Sequence, residues 1–171
     1  MLIEKSNLVG LPVFELENQT RVALLVDFFI DEAEIKIDAA IVKTDGLISH
    51  QKYISAHEIA DISRAALIAQ NEDSLVEPTE LVRLYKNHKK RARIVGERVY
   101  TKKGEFLGTV FDYVIESGSL AITRIYLKKL FDQRIIHSSA IIKIEQHKII
   151  VKDNFEMVKP EIVPMGATEL A

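Results

Sequence analysis

Five histidines are the residues of this sequence best suited to metal binding or proton transfer, because imidazole titrates near neutral pH. They are His50, His57, His88, His137 and His147. None of them forms, with another histidine and a carboxylate, the close spacing that zinc and iron sites use. The sequence therefore predicts no bound metal, and surface or capping roles for these side chains.

Groups for nucleophilic catalysis are also scarce. Ser138 and Ser139 follow His137, but neighbours on a strand point to opposite faces, so the triplet favours a helix cap over a nucleophile and its base. The chain has no cysteine, and its seven glycines form no phosphate-binding loop. We expect a protein that is not an enzyme, with no catalytic residue and no cofactor.

Two acidic positions need an explanation. Asp27 and Asp112 each follow an apolar stretch and precede an apolar pair, and a recurring carboxylate of this kind is either functional or an acceptor for backbone donors at a turn or bulge. We favour the structural role. The group Asp31, Glu32 and Glu34 could bind a divalent cation, but the second half has no counterpart, so a solvated hairpin tip explains it.

One cationic segment is the candidate contact surface. Residues 1–78 carry an excess of acidic side chains, whereas five basic residues fall within eight positions: Lys86, Lys89, Lys90, Arg91 and Arg93. Clustered cations of this kind contact nucleic-acid phosphates or a partner protein. The alternative is a solvated linker that offsets the acidic half.

Length and composition place the chain among globular proteins. It has 171 residues, 47% hydrophobic and 28% charged, and a net charge of -2, which allows one ordinary domain or two small ones. The longest apolar runs, Val22–Val26 and Ile149–Val151, are too short to cross a bilayer, and the N-terminus lacks the pattern of a signal peptide. We expect a cytoplasmic protein without membrane insertion.

The sequence repeats itself at an offset of 82 to 86 residues. Leu8-Val9-Gly10 matches Ile94-Val95-Gly96, and Asp27-Phe28-Phe29-Ile30 matches Asp112-Tyr113-Val114-Ile115. Further apolar positions match in the same order. Because several blocks recur in order at nearly constant spacing, we interpret the chain as a duplication.

Each copy is predicted to be built of short strands, since apolar residues alternate or run in short blocks between turn residues. In the second copy the predicted strands are Arg98–Thr101, Phe106–Ile115, Ala121–Lys128, Arg134–Ser138 and Ile149–Lys152. Gly104 predicts a hairpin turn, and Gly108 predicts a bulge inside a long strand. In the alignment of the two copies, Val22 of the first copy matches Gly108 of the second.

The copies are joined by a segment with a helix-start pattern, in which Thr79 can act as the cap. We divide the chain into a first repeat (1–77), a helical basic linker (78–93), a second repeat (94–154) and an irregular tail (155–171).

The matched blocks resemble the PRC-barrel family, which includes the photosynthetic reaction centre H subunit and a domain of a ribosome maturation factor. The residues that carry the resemblance are Ile94-Val95-Gly96, Val99-Tyr100, the run from Gly108 to Ile115, Ile122, and Ile136 leading into Ile141 and Ile144. The resemblance implies a mainly β fold of two tandem small antiparallel β-barrels. It implies binding or scaffolding, and no reaction.

We expect a non-catalytic adaptor or scaffold that offers sheet edges and the groove between its halves to a protein partner. The alternative is an RNA- or ribosome-associated protein that uses the basic linker. We further expect a monomer with pseudo-twofold halves, or a weak homodimer through open sheet edges.

Overall fold

The computed structural model describes residues 1–80, 91–145 and 147–156, with the backbone but not the side chain of residue 91. The fold is mainly β, as predicted. The strands of the first half are β1 (Leu2–Glu4), β2 (Pro12–Glu15), β3 (Arg21–Asp31), β4 (Lys36–Thr44), β5 (Gln51–Ser55), β6 (Ile59–Ile62) and β7 (Leu67–Ala69). The strands that follow are β8 (Arg91–Ala92), β9 (Arg98–Thr101), β10 (Phe106–Glu116), β11 (Ile122–Lys129), β12 (Asp132–His137), β13 (Ile141–Glu145) and β14 (Lys148–Val151).

The strands form two sheets with the same internal order. One sheet runs β5-β4-β3-β2-β7-β6, and the other runs β12-β11-β10-β9-β14-β13. We call residues equivalent when they hold the same register position in the two sheets. Most strand pairs are antiparallel, as the resemblance implied, but both sheets are mixed, because β2 pairs with β7 and β9 pairs with β14 in parallel. A parallel pair needs a long connection, and here four intervening strands supply it in each half.

Bulges shape the long strands β3 and β10. Where β10 pairs with β11, Phe111 is an extra residue, and Val26 is the extra residue where β3 pairs with β4. A further irregularity precedes Gly108 in the pairing of β10 with β9, as its glycine predicted. The register makes Ala23 the equivalent of Gly108, which corrects the sequence match to Val22.

Short helical turns complete each half. Residues 56–58 and 138–140 form 3₁₀ turns before β6 and β13. Residues 78–80 are helical, and the Glu80 carboxylate accepts the backbone N–H of Glu77 at 3.2 Å. Thr79 therefore lies inside the turn, and the predicted cap at Thr79 was wrong. Residues 81–90 of the predicted linker and residues 157–171 of the predicted tail lie outside the described residues.

The two halves exchange strands. The N-terminal strand β1 pairs with β10 of the second half, and β8 pairs with β3 of the first half. Buried side chains from both halves belong to one hydrophobic cluster, which extends from Ile3 to Val151. The core is therefore continuous across the sequence repeat.

The two halves also meet at equivalent hairpin turns. The Ile37 N–H donates to the Leu120 carbonyl at 2.9 Å, and the Ile122 N–H donates to the Ile35 carbonyl at 3.0 Å. Ile35 and Leu120 both adopt positive φ, of 54° and 58°. Branched or bulky residues rarely take this conformation, so the contact between halves holds both turns in a strained geometry.

Candidate functional site

The structure describes only part of the predicted basic contact segment. Lys86, Lys89 and Lys90 lie outside the described residues, and the backbone of Arg91 pairs with Asp31. Arg93 is ion-paired: its Nε donates to Asp27 Oδ2 at 2.7 Å, although its side chain is 57% exposed. Part of this cationic charge is thus used inside the protein. The RNA-binding alternative stays a prediction.

Asp27 and Asp112 follow the bulge residues Val26 and Phe111, and both carboxylates are buried. Each accepts the N–H of the next residue at 2.9 Å. Asp112 also accepts both the N–H and the hydroxyl of Ser6 from the other half. These contacts agree with the structural role that we favoured from the sequence.

The environment of Asp27 differs from that of Asp112. Lys5 Nζ lies 3.1 Å from Asp27 Oδ1, and Arg93 binds the other oxygen, so two cations from outside the first sheet neutralise this acid. Asp112 is instead satisfied by neutral donors. Both acids therefore join the two halves. Asp27 binds Arg93, which precedes β9, and Asp112 binds Ser6, which precedes β2.

Tyr113 lies beside these acids with its hydroxyl buried and, among the described residues, without a hydrogen-bond partner. Burial raises the pKa of Tyr113 well above its ordinary value, the charges of Asp27 and Asp112 raise that pKa further, and Arg93 opposes them. The hydroxyl is thus a neutral group.

Several of the described histidines and hydroxyls lie at turns. His57 lies in the middle of the 3₁₀ turn 56–58, whose cap is Ser55, and His147 Nδ1 lies 4.0 Å from Glu97. Ser138 and Ser139 belong to the 3₁₀ turn after β12. Within residues 1–80, 91–145 and 147–156, no three side chains of metal-binding type come together.

Sequence reasoning missed two exposed apolar hairpin tips. They lie in the equivalent β4–β5 and β11–β12 connections, and their side chains are Leu47 (108% exposed), Ile48 (75%), Leu130 (82%) and Phe131 (102%). Leu130 has φ of 55°, a conformation that favours glycine or asparagine in a two-residue hairpin turn. Bulky apolar residues at such turns oppose both solvation and local geometry, which is typical of functional positions.

The pairing of the halves directs the two hairpins away from each other. Lys36, at the start of β4, forms an antiparallel bridge with Ala121, just before β11. Two strands that begin at an antiparallel bridge run away from it in opposite directions. The two hairpins therefore leave the bridge in opposite directions.

A second candidate site is a pair of clefts beside Arg124 on β11. One cleft, of about 560 Å³, is lined by Arg124, Tyr126 and Glu4, together with Arg64 from the first half. The other, of about 500 Å³, is lined by Arg124, His137 and Lys152. Neither Arg124 nor Arg64 was singled out from the sequence, because nothing in the sequence pattern shows which cations lack an acidic neighbour.

The chain is thus defined by its mainly β fold with two mixed sheets. Neither the protein-family models nor the curated proteins with which the sequence was compared match it. No helix in the described part of the chain has the length and apolar character needed to span a bilayer.

Proposed function

We propose that this protein is a non-catalytic adaptor that binds a protein partner, built from two tandem barrels of the PRC type. The proposal includes closure of each sheet into a barrel. It is supported by the equal strand order of the two sheets and by the turn and bulge positions that the resemblance involves.

The observation that carries the proposal is the pair of apolar hairpin tips. Each tip exposes two large apolar side chains, and burial of such a side chain is worth about 2 kcal/mol. Apolar anchors that protrude from a rigid hairpin fit pockets on a partner surface. The same chemistry at both tips indicates two contacts with partner molecules.

Photo-crosslinking in cells tests this function. A photoreactive amino acid replaces Ile48 in one variant and Phe131 in a second. The control variant carries it in place of Lys103, an exposed polar residue in the β9–β10 turn. We expect the same protein to be crosslinked from both tips and not from position 103. A probe at position 133 should give the same product in the otherwise unchanged chain. It should lose that product in the double variant Leu130→Ser and Phe131→Ser.

Crosslinks at positions 48 and 131 that are no stronger or more specific than those at position 103 would contradict an adaptor role for the tips. Light scattering at several concentrations would separately test the expected monomer or weak homodimer, and cell fractionation would test the expected cytoplasmic location.

A further inference from the structure

Arg124 is a partly buried cation that forms no ion pair with any residue in the described part of the chain. Within the described residues its guanidinium makes no ion pair and no hydrogen bond, and the same holds for Arg64 across the cleft. Removing a charged group from water without a compensating partner is costly, so such groups are normally paired. The geometry around Arg124 therefore lacks one charged component.

The first half carries different residues at the positions equivalent to Arg124 and its neighbours. In the first half, Phe29, Ala39 and Ser55 form a row across β3, β4 and β5. In the second half, the equivalent row is Val114, Arg124 and His137.

The neighbouring residues of the first-half face are apolar. Ala39, Ile41 and Tyr53 form a small hydrophobic cluster against which Phe29 and Val76 pack. Val76 also exchanges two backbone hydrogen bonds with Tyr53, of 2.9 and 3.0 Å, and so lies beside β5 at the edge of the sheet. An apolar face in one half thus corresponds to a cationic face beside two clefts in the other.

Two acids line the clefts beside Arg124, and neither forms an ion pair with it. Glu4 lines the first cleft, but its carboxylate accepts the Tyr126 hydroxyl at 3.1 Å and the Asn7 amide at 3.2 Å. Glu156 lines the second cleft without forming an ion pair with Arg124. The other cation in that cleft is Lys152, whose Nζ donates to the Ser139 carbonyl at 2.8 Å. Arg124 is therefore the free donor common to both clefts.

We propose that Arg124 is the centre of an oxyanion-binding site, in which Arg64 and His137 are additional donors. The ligand group is a phosphate or a carboxylate of a small solute, because the planar guanidinium binds both through two parallel hydrogen bonds. The site lies in the groove between the halves, since Arg64 belongs to the first half and Arg124 to the second. It does not depend on the proposed adaptor function or on the hairpin tips.

Nuclear magnetic resonance of the arginine Nε–Hε groups tests the site in the full chain. Sodium phosphate and disodium succinate are titrated in separate experiments, and sodium chloride keeps the ionic strength constant. We expect the Arg124 resonance to shift and saturate at millimolar concentration with at least one of the two ligands, as for a single weak site. The ligand that saturates it identifies the phosphate or the carboxylate as the group bound.

Three variants control the titration. Arg124→Ala recreates the residue found at the equivalent position 39, so we expect it to fold and to lose the saturable response of Arg64. Arg124→Lys should weaken binding at least tenfold, because an ammonium cannot make the two parallel hydrogen bonds. Arg98→Ala removes an exposed arginine that lines neither of the two clefts and should leave the Arg124 titration unchanged. Linear, unsaturated shifts of Arg124 with both ligands, or an unchanged Arg64 response in Arg124→Ala, would overturn the proposal.

Discussion

Buried polar side chains at equivalent positions have different bonding partners in the two halves. Asp27 binds two cations, whereas Asp112 accepts neutral donors from Ser6. The residues that follow them also differ, since Phe28 and Tyr113 both are fully buried but only Tyr113 carries a hydroxyl. Small differences in chemistry are therefore tolerated at this junction without a change of fold.

At the residue scale we predict that Tyr113→Phe stabilises the protein by about 1 kcal/mol, because it removes a buried hydroxyl that has no hydrogen-bond partner within the described residues. The matched variant is Phe28→Tyr, which introduces such a hydroxyl and should cost about 1–3 kcal/mol. Urea unfolding followed by circular dichroism measures both. A loss of more than about 1 kcal/mol in Tyr113→Phe would show that the hydroxyl is hydrogen-bonded in solution.

At the element scale, the long strand β10 depends on a glycine. Gly108 has φ of 143°, and a Cβ atom there would lie 2.9 Å from the backbone oxygen of Lys128 on β11. The bulge thus brings two strand backbones closer than any side chain allows. Ala23, which is equivalent, occupies its bulge without positive φ, so the glycine requirement is specific to the second half.

We predict that Gly108→Ala destabilises the protein by at least about 2 kcal/mol, because both the backbone angle and the contact with Lys128 oppose a side chain. Gly104→Ala is the matched control. Its φ of 89° is also positive, but an added Cβ would meet no atom within 4 Å, so we expect a cost of about 1 kcal/mol. Thermal and urea unfolding compare the two variants, and equal losses would argue against close backbone approach as the cause.

At the scale of the whole molecule, the exchanged strands make each half incomplete alone. β1 extends the second sheet and β8 extends the first. The ion pair of Arg93 with Asp27 and the hydrogen bonds of Ser6 with Asp112 join the same surfaces. The sequence division into repeats at 1–77 and 94–154 therefore does not coincide with the strands that each sheet contains.

We predict that the fragments 1–85 and 86–171 associate when they are produced together and elute as a one-to-one complex in size-exclusion chromatography. Each fragment alone should unfold without a cooperative transition, since it lacks one strand and half of the shared core. Fragment 5–85, which lacks β1, serves as the control and should bind at least tenfold more weakly. Two fragments that fold separately and do not bind each other would contradict this prediction.

Local features of the fold were predictable from the sequence. The alternation of apolar residues placed β9 at its observed bounds, and glycine placed the turn at Gly104 and the irregularity at Gly108. These features arise within a few neighbouring residues, where side-chain alternation and backbone freedom decide the conformation. The repeat in the sequence likewise corresponds to the equal strand order of the two sheets.

The tertiary structure alone decided which distant residues meet. The parallel pairing of β9 with β14, the exchange of β1 and β8, and the contact of Asp27 with Arg93 join residues that lie tens of positions apart. The lack of an ion pair at Arg124 among residues 1–80, 91–145 and 147–156 belongs to the same class. A local pattern states that a residue is charged or apolar, whereas its partner depends on how the whole chain packs, because burial and ion pairing are properties of neighbours in space.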